Sequence, residues 1–299
     1  MNLLICIDDT DNLESRGTGS IAAEMTDIIK RSGWGGCGLI SRHQLVLHED
    51  VRYTSHNSSM CFGASIDEKY FTDLRIELSR YLAAESAEGS DPGMCIADIK
   101  KLDADIPLQH RIIEFGYRAK VEVLTKDAAY ALADEAGIFL NEFGGNGEGV
   151  IGALAGIGLR LHGNDGEVKG GIGCFEQGRR FTVNSLLTHE LISDVCTLEM
   201  DSLARHEEVF ISWKAKPVLH EGFPVLLVRQ KPEHDFWSTL VKNEMRNFGE
   251  ERAIKPACEK FRFDVPEEHV GDGAENCYNC VYRRWTADSF SCMLGRHED

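Results

Sequence analysis

"MNLLICIDDTDN", residues 1–12, opens the chain with an apolar run that stops at Asp8, Asp9 and Asp11. Leu3, Leu4, Ile5, Cys6 and Ile7 are continuous, which is the pattern of a strand buried on both faces rather than one alternating between core and solvent. The three carboxylates repel one another. Either they are solvated in a turn at the strand's end, or a cation sits among them. Next, "GSIAAEMTDIIKRSG" (19–33) has helical spacing, with Ile21, Met25, Ile28 and Ile29 on one face. Gly19 or Ser20 is placed to cap that helix and Gly33 to stop it. The opening unit therefore reads strand, acidic loop, helix, which sets polar groups at the carboxyl edge of a sheet.

Further along, "GLISRHQLVLHED" (38–50) and "SSMCFGASID" (58–67) read as strands, and "YFTDLRIELSRYLAAES" (70–86) as an amphipathic helix. "AEGSDPGMCIAD" (87–98) is a turn followed by a strand. "YRAKVEVLTKDAAYALADEAGIFLNEFG" (117–144) reads as a strand and a helix. "FTVNSLLTHELISDV" (181–195) is mixed, and "EVFISWKAKPVLHEGFPVLLVRQ" (208–230) reads as two strands around a turn. Strands and helices in alternation predict an α/β or α+β protein.

The chain has 299 residues, enough for a substantial core, and 49 acidic against 32 basic side chains give a net charge of −17. That balance works against a polynucleotide substrate, because phosphate neutralisation depends on Lys and Arg. No apolar stretch approaches the roughly 20 residues of a membrane span. The amino terminus lacks a basic segment ahead of an apolar one, so a cytoplasmic protein with no membrane partner is expected. Ten cysteines in such a chain point to thiols or metal ligands rather than disulfides. Cys6, Cys37, Cys61, Cys95, Cys174 and Cys196 are scattered among apolar neighbours and are expected mainly as small buried hydrophobes.

Carboxylates after a buried strand suit magnesium, which prefers oxygen ligands and commonly bridges one or two carboxylates to nucleotide phosphates. A second element, "GGNGEGVIGALAGIG" (144–158), carries Gly144, Gly145, Gly147 and Gly149 ahead of a small-residue helix. Such a loop can approach a ligand closely and turn its N–H groups toward an anion. It is neither a Walker A loop nor a dinucleotide fingerprint, and a tight turn into a close-packed helix fits equally. The third element is Cys258, Cys277, Cys280 and Cys292, whose single C-x₂-C leaves Zn²⁺, [4Fe–4S] or incidental thiols open. "VYRRW" (281–285) and "GRH" (295–297) add positive charge and aromatics beside it. By contrast, "THEL" (188–191) lacks the second histidine of a zinc helix, and Asp103 and Asp105 read as a solvated loop.

"IDDTD", the glycine turn "RGTGS" (16–20), "DPG" (91–93) and "GGNGEGVIGALAGIG" together resemble the archaeal tRNA(Ile) 2-agmatinylcytidine synthetase family, TiaS, over roughly residues 1–170. The resemblance implies a kinase-type ATP domain interleaved with a ferredoxin-like domain. It also implies a cytosine carbonyl oxygen phosphorylated and then displaced by the agmatine amine, with tRNA and a small amine as partners. On that basis Asp8, Asp9 and Asp11 hold Mg²⁺ against ATP, and Thr10, Arg16, Gly17, Gly145, Asn146, Gly147 and Gly149 position the nucleotide. Ser20 stands most nearly where the family has its phosphorylated threonine, with Thr18 two positions earlier. The departures are a "YTSHNSSMCFG" stretch (53–63) in place of a basic glycine-containing one, and no recognisable OB barrel.

The expected division is 1–200 for the interleaved ATP and ferredoxin-like domains, 201–256 for a strand-rich connection, and 257–299 for a Cys-rich metal module. Three functions follow: an ATP-dependent enzyme that activates a carbonyl for amine attack, a small-metabolite kinase or ligase that has lost tRNA binding, and a non-catalytic RNA-binding or metal-sensing protein.

Overall fold

A computed structural model describes residues 1–54, 56–212, 215–230, 236–240, 258–264, 269, 275–285 and 290–294, with Trp285 by its backbone alone. The chain forms two compact units, Met1–His162 with Arg284–Ala287, and Gly163–Arg283 with Asp288–Asp299.

In the first unit the elements run β1 (Asn2–Asp8), α1 (Thr18–Arg31), β2 (Gly35–Gln44), β3 (Ser58–Ile66), α2 (Phe71–Glu85) and β4 (Gly93–Asp98). They continue with α3 (Ile99–Asp103), α4 (Ile106–Arg118), α5 (Lys126–Ala136), β5 (Phe139–Glu142) and α6 (Gly149–His162). The strands form an antiparallel sheet in the order β5-β4-β1-β3-β2, so β1 lies inside it. Successive β1 residues serve two cores. Leu3, Ile5 and Ile7 pack with Ile21, Met25 and Ile29 of α1 and Leu74, Leu78 and Leu82 of α2. Leu4 and Cys6 face the other way, toward Ile112 and Phe115 of α4 and the buried side of α6. Helices on both sides explain why the strand has no polar alternation.

Local expectations are met in part, and the strand expected over 38–50 is β2, which ends at Gln44. Gly17, not Gly19 or Ser20, caps α1, because the helix starts two residues early at Thr18. Gly33 follows its end in the left-handed region at φ 68°. In 117–144 the helix is α5, but the strand is β5 after it. The segment 120–124 is instead turn and loop, with Val121 and Val123 exposed while Leu124 enters the core. Asp105, expected in a solvated loop, caps α4 by accepting from the Leu108 N–H at 3.1 Å.

The second unit holds β6 (Glu167–Val168), β7 (Arg180–Thr182), α7 (Val183–Leu186), β8 (Asp194–Cys196), β9 (Glu208–Phe210), β10 (Val218–His220), β11 (Phe223–Gln230) and β12 (Trp237–Thr239). Two short strands follow, β13 (Arg283–Trp285), which begins at the boundary between the units, and β14 (Phe290–Cys292). Within 208–230, read as two strands around a turn, β10 and β11 form a hairpin at Glu221–Gly222, whose left-handed φ values of 48° and 82° suit a tight two-residue turn, and β9 adds a third strand. Ile172, Val183, Leu186, Val195, Val209 and Val228 make the core. Among the described residues no helix is long and apolar enough to cross a membrane.

Candidate functional site

Where β1 runs out, the backbone turns sharply. Asp8 closes the strand and is buried; Asp9 takes φ 50°, rare for a residue with a side chain; Thr10 is fully buried. The register sets Asp8 beside Gly93, and the Asp91–Pro92–Gly93 turn therefore lies next to the acidic stretch. The first turn of α6 closes over the same spot. The Gly149 N–H donates to the Asp91 carbonyl at 2.9 Å. A Cβ at Gly149 would overlap the Asp91 carbonyl, and one at Gly152 would overlap the Asp8 carboxylate. The amino-terminal aspartates and the mid-chain glycine segment thus meet, and glycine is what permits the approach.

The loop before α6 is held from two sides. The Asn146 N–H donates to the Asp91 carboxylate. Lys126 Nζ reaches both Glu142 Oε2 at 2.7 Å and the Asn146 carbonyl at 2.5 Å. Gly145 sits at φ 58°, where a Cβ would also strike Asp91 Oδ1. The anion that meets this loop's Asn146 N–H is therefore the protein's own Asp91.

Crowding of carboxylates dominates the electrostatics. Burial, and then the neighbouring charges of Asp9 and Asp11, push the Asp8 carboxyl well above the usual carboxylate range. Asp9 is pushed up to about 7 by burial, then by Asp91, Asp11 and Glu148, against a hydrogen bond from the Asp91 N–H. Asp11 is pinned between two hydroxyls, Thr18 at 3.0 Å and Thr54 at 3.3 Å, and Thr10 donates to Thr18 at 3.1 Å. Beside the acids lies a cavity of about 280 Å³, toward the low end for small-ligand sites. Asp8, Asp9 and Glu148 line it together with Arg52 and Lys126, against apolar Val46 and Ile151.

Of the residues singled out in the sequence, Asp8, Asp9, Thr10, Asp11, Gly145, Asn146, Gly147 and Gly149 come together here. Ser20 lies in the first turn of α1, its N–H on the Gly17 carbonyl at 2.8 Å, while the hydroxyl next to the acids is that of Thr18. Gly17 caps α1, and Arg16 turns to α2, pairing with Glu85 at 2.5 Å and Tyr81 at 2.8 Å. Asp91, Glu148, Thr18 and Lys126 belong to the neighbourhood without having been singled out as site residues. "DPG" was the visible signal for Asp91; Lys126 carried none. His43 and His162 meet Ser41 and Tyr117, each at 2.8 Å.

In the second unit Cys258, Cys280 and Cys292 are near enough to raise the Cys277 thiol, although burial is the larger cause. Among the described residues no group of three or more His, Cys, Asp or Glu side chains is arranged to hold a metal ion. Cys6, Cys61, Cys95 and Cys196 are buried as expected, Cys37 is half-buried and Cys174 exposed. "GRH" lies outside the described residues.

No family model and no curated protein matches the chain. Among solved structures it is similar to apo TiaS, an isoleucine-tRNA agmatidine synthetase, at 22% identity over 53% of this chain and 35% of that one, with TM-score 0.44. It is similar to a tRNA fluorescent labelling enzyme at 22% identity over 53% and 36%, with TM-score 0.45. A complex of TiaS with its isoleucine tRNA and ATP gives 23% identity over 53% and 36%, with TM-score 0.44. The chain spans about a third of the length of these solved chains.

Proposed function

We propose that the chain is an ATP- and magnesium-dependent enzyme that activates a carbonyl oxygen by phosphoryl transfer for attack by an amine, as in agmatine conjugation to a tRNA wobble cytidine. The observation that carries this reading is the meeting of Asp8, Asp9 and Asp11 with the glycine segment at the end of β1. The donor set fits a hard cation. A buried carboxylate, Asp8, and a half-buried one, Asp9, whose negative forms are opposed by burial and by neighbouring acids, gain from a positive charge, and magnesium needs only one or two carboxylates beside phosphate oxygens.

In this reading Asp8, Asp9 and Asp11 hold Mg²⁺, which when bound neutralises phosphate charge. Thr10, Gly145, Asn146, Gly147 and Gly149 shape the nucleotide side, with Arg16 and Gly17 at its margin. Ser20 and Thr18 are the candidate phospho-acceptors, and Thr18 has the hydroxyl nearer the acids. The γ-phosphoryl passes from ATP to the carbonyl oxygen, leaving ADP. The amine nitrogen then bonds to the carbon as the C–O bond breaks, and phosphate leaves with that oxygen and the amine's proton.

The β1-α1-β2-β3-α2-β4 order, with strands arranged β4-β1-β3-β2, supports a ferredoxin-like element within 1–200. Residues 201–256 would connect it to a Cys-rich module in 257–299, where Cys258, Cys277, Cys280 and Cys292 would take Zn²⁺ or [4Fe–4S]. The net charge of −17 favours a second reading, a small-metabolite kinase or ligase. Mg²⁺-dependent ATP turnover, abolished in Asp9→Asn and stimulated by RNA, is the expected result. Turnover indifferent to RNA selects the second reading. Failure to bind ATP at millimolar Mg²⁺ removes both and leaves a non-catalytic protein.

A further inference from the structure

The loop over residues 48–54 forms one wall of the cavity through Asp50, Val51 and Arg52, and its Thr54 hydroxyl reaches Asp11 at 3.3 Å. Its own backbone bonds are sparse: the Val51 N–H meets the His48 carbonyl at 3.1 Å, and the Asp50 N–H meets His48 Nδ1 at 3.2 Å. A cation from more than 200 positions later supplements them. Arg284, on β13 but packed within the first unit, donates to the Val51 carbonyl at 2.5 Å and lies 3.4 Å from the His48 carbonyl. Its guanidinium also stands 4.1 Å from the centre of the Tyr53 ring. Its Nη2 therefore bridges two carbonyls of the short loop while the guanidinium carbon lies over an aromatic ring of the same loop, a contact that a planar guanidinium makes more readily than an ammonium.

We infer that Arg284 is a positioning residue: the carboxyl-terminal strand supplies the guanidinium that holds the 48–54 loop against the cavity and keeps Thr54 on Asp11. The inference concerns the loop and its anchor, and it stands apart from which ligand the cavity takes. The wall that Arg284 secures contributes Asp50 and Arg52 on one side of the cavity, while Asp11 receives its second hydroxyl from the other side, from Thr18 on α1. Releasing the loop should leave the sheet and α1 intact and loosen one of the two hydroxyls on Asp11.

Hydrogen exchange on the full chain tests this in Arg284→Ala, Arg284→Lys and Tyr53→Leu. Peptides covering 45–54 should exchange about tenfold faster in Arg284→Ala, with those covering β3 unchanged. Arg284→Lys should restore part of the protection, through charge and one donor, and Tyr53→Leu should fall between Arg284→Ala and the wild type. Binding of Mg²⁺–ATP should weaken about three- to tenfold in Arg284→Ala and recover in Arg284→Lys. Unchanged exchange of the loop in both Arg284→Ala and Tyr53→Leu overturns the inference. Should Arg284→Ala open β3 as well, Tyr53→Leu decides by the same comparison of segments. A wild-type protein that does not bind Mg²⁺–ATP defeats the nucleotide reading, while exchange still decides the role of Arg284.

Discussion

Asp9 concentrates the conflict between folding and chemistry in one residue. It holds a left-handed backbone conformation, is half-buried, and faces Asp91, Asp11 and Glu148. Because its folded pKa, about 7, exceeds the unfolded value of 3.8, the native state keeps a proton that the unfolded chain gives up. Between those two values stability falls as pH rises, and above about 7 the loss is complete. Thermal melting without divalent cations should therefore show a lower Tm at pH 8 than at pH 5. Asp9→Asn should flatten that difference and add on the order of 1–2 kcal/mol at pH 8, while abolishing the stabilisation that Mg²⁺ confers on the wild type. A variant that loses stability at pH 8 would show that the carboxylate is satisfied without a cation. The three aspartates and their mutual repulsion were legible in the sequence. Their encounter with Asp91 and Glu148 was not, because those residues reach Asp9 through β-sheet register and the α6 entry loop.

At the scale of elements, α6 is the piece that brings the site together. Its glycines let neighbours approach the helix backbone closely: the Asp8 carboxylate at Gly152, the Cys6 and Ser59 side chains at Gly156, and the Ile112 carbonyl of α4 at Gly158. An alanine in a helix gains about 1 kcal/mol over glycine from backbone entropy. At Gly158 a methyl would overlap a backbone carbonyl that cannot swing aside, and forcing extra volume into such a contact costs about 1–3 kcal/mol. Gly158→Ala should lower the urea midpoint with an unchanged m-value. Gly36→Ala in β2, where the new atom meets nothing within 4 Å, should shift it by less than about 0.5 kcal/mol. Equal midpoints for the two variants would mean that α6 can slide. The small-residue helix was readable as a close-packing element. Its partners, β1 on one side and α4 on the other, were not.

For the whole molecule, charge and cysteines make separate predictions. With 49 acidic against 32 basic side chains, a surface that engages many phosphates is disfavoured, so any RNA affinity should depend weakly on salt, with a slope reflecting only a handful of contacts. A slope as steep as that of proteins making roughly 6–10 phosphate contacts would instead require a concentrated basic surface. Cys258, Cys280 and Cys292 lie near enough to raise the Cys277 thiol, and the proposed metal module rests on these four residues. Anaerobically purified protein is expected to carry about one metal equivalent bound by thiolates, and its removal to lower the Tm. Metal-free protein with four titratable thiols in 257–299 and an unchanged Tm would refute the module.

Composition and pattern alone determined that this is a mixed α/β chain whose first strand is buried on both faces, with carboxylates at its end and a glycine-rich entry to a tight helix. Those are local properties: hydrophobic runs, turn residues and side-chain volume act within a few positions. Which segments face one another was decided only in three dimensions. Antiparallel register put Asp8 beside Gly93, the absence of a Cβ at Gly149 and Gly152 let α6 close on β1, and Arg284 returned from the far end of the chain to the 48–54 loop. Such contacts depend on loop closure and packing across large sequence separations, and no local preference records them.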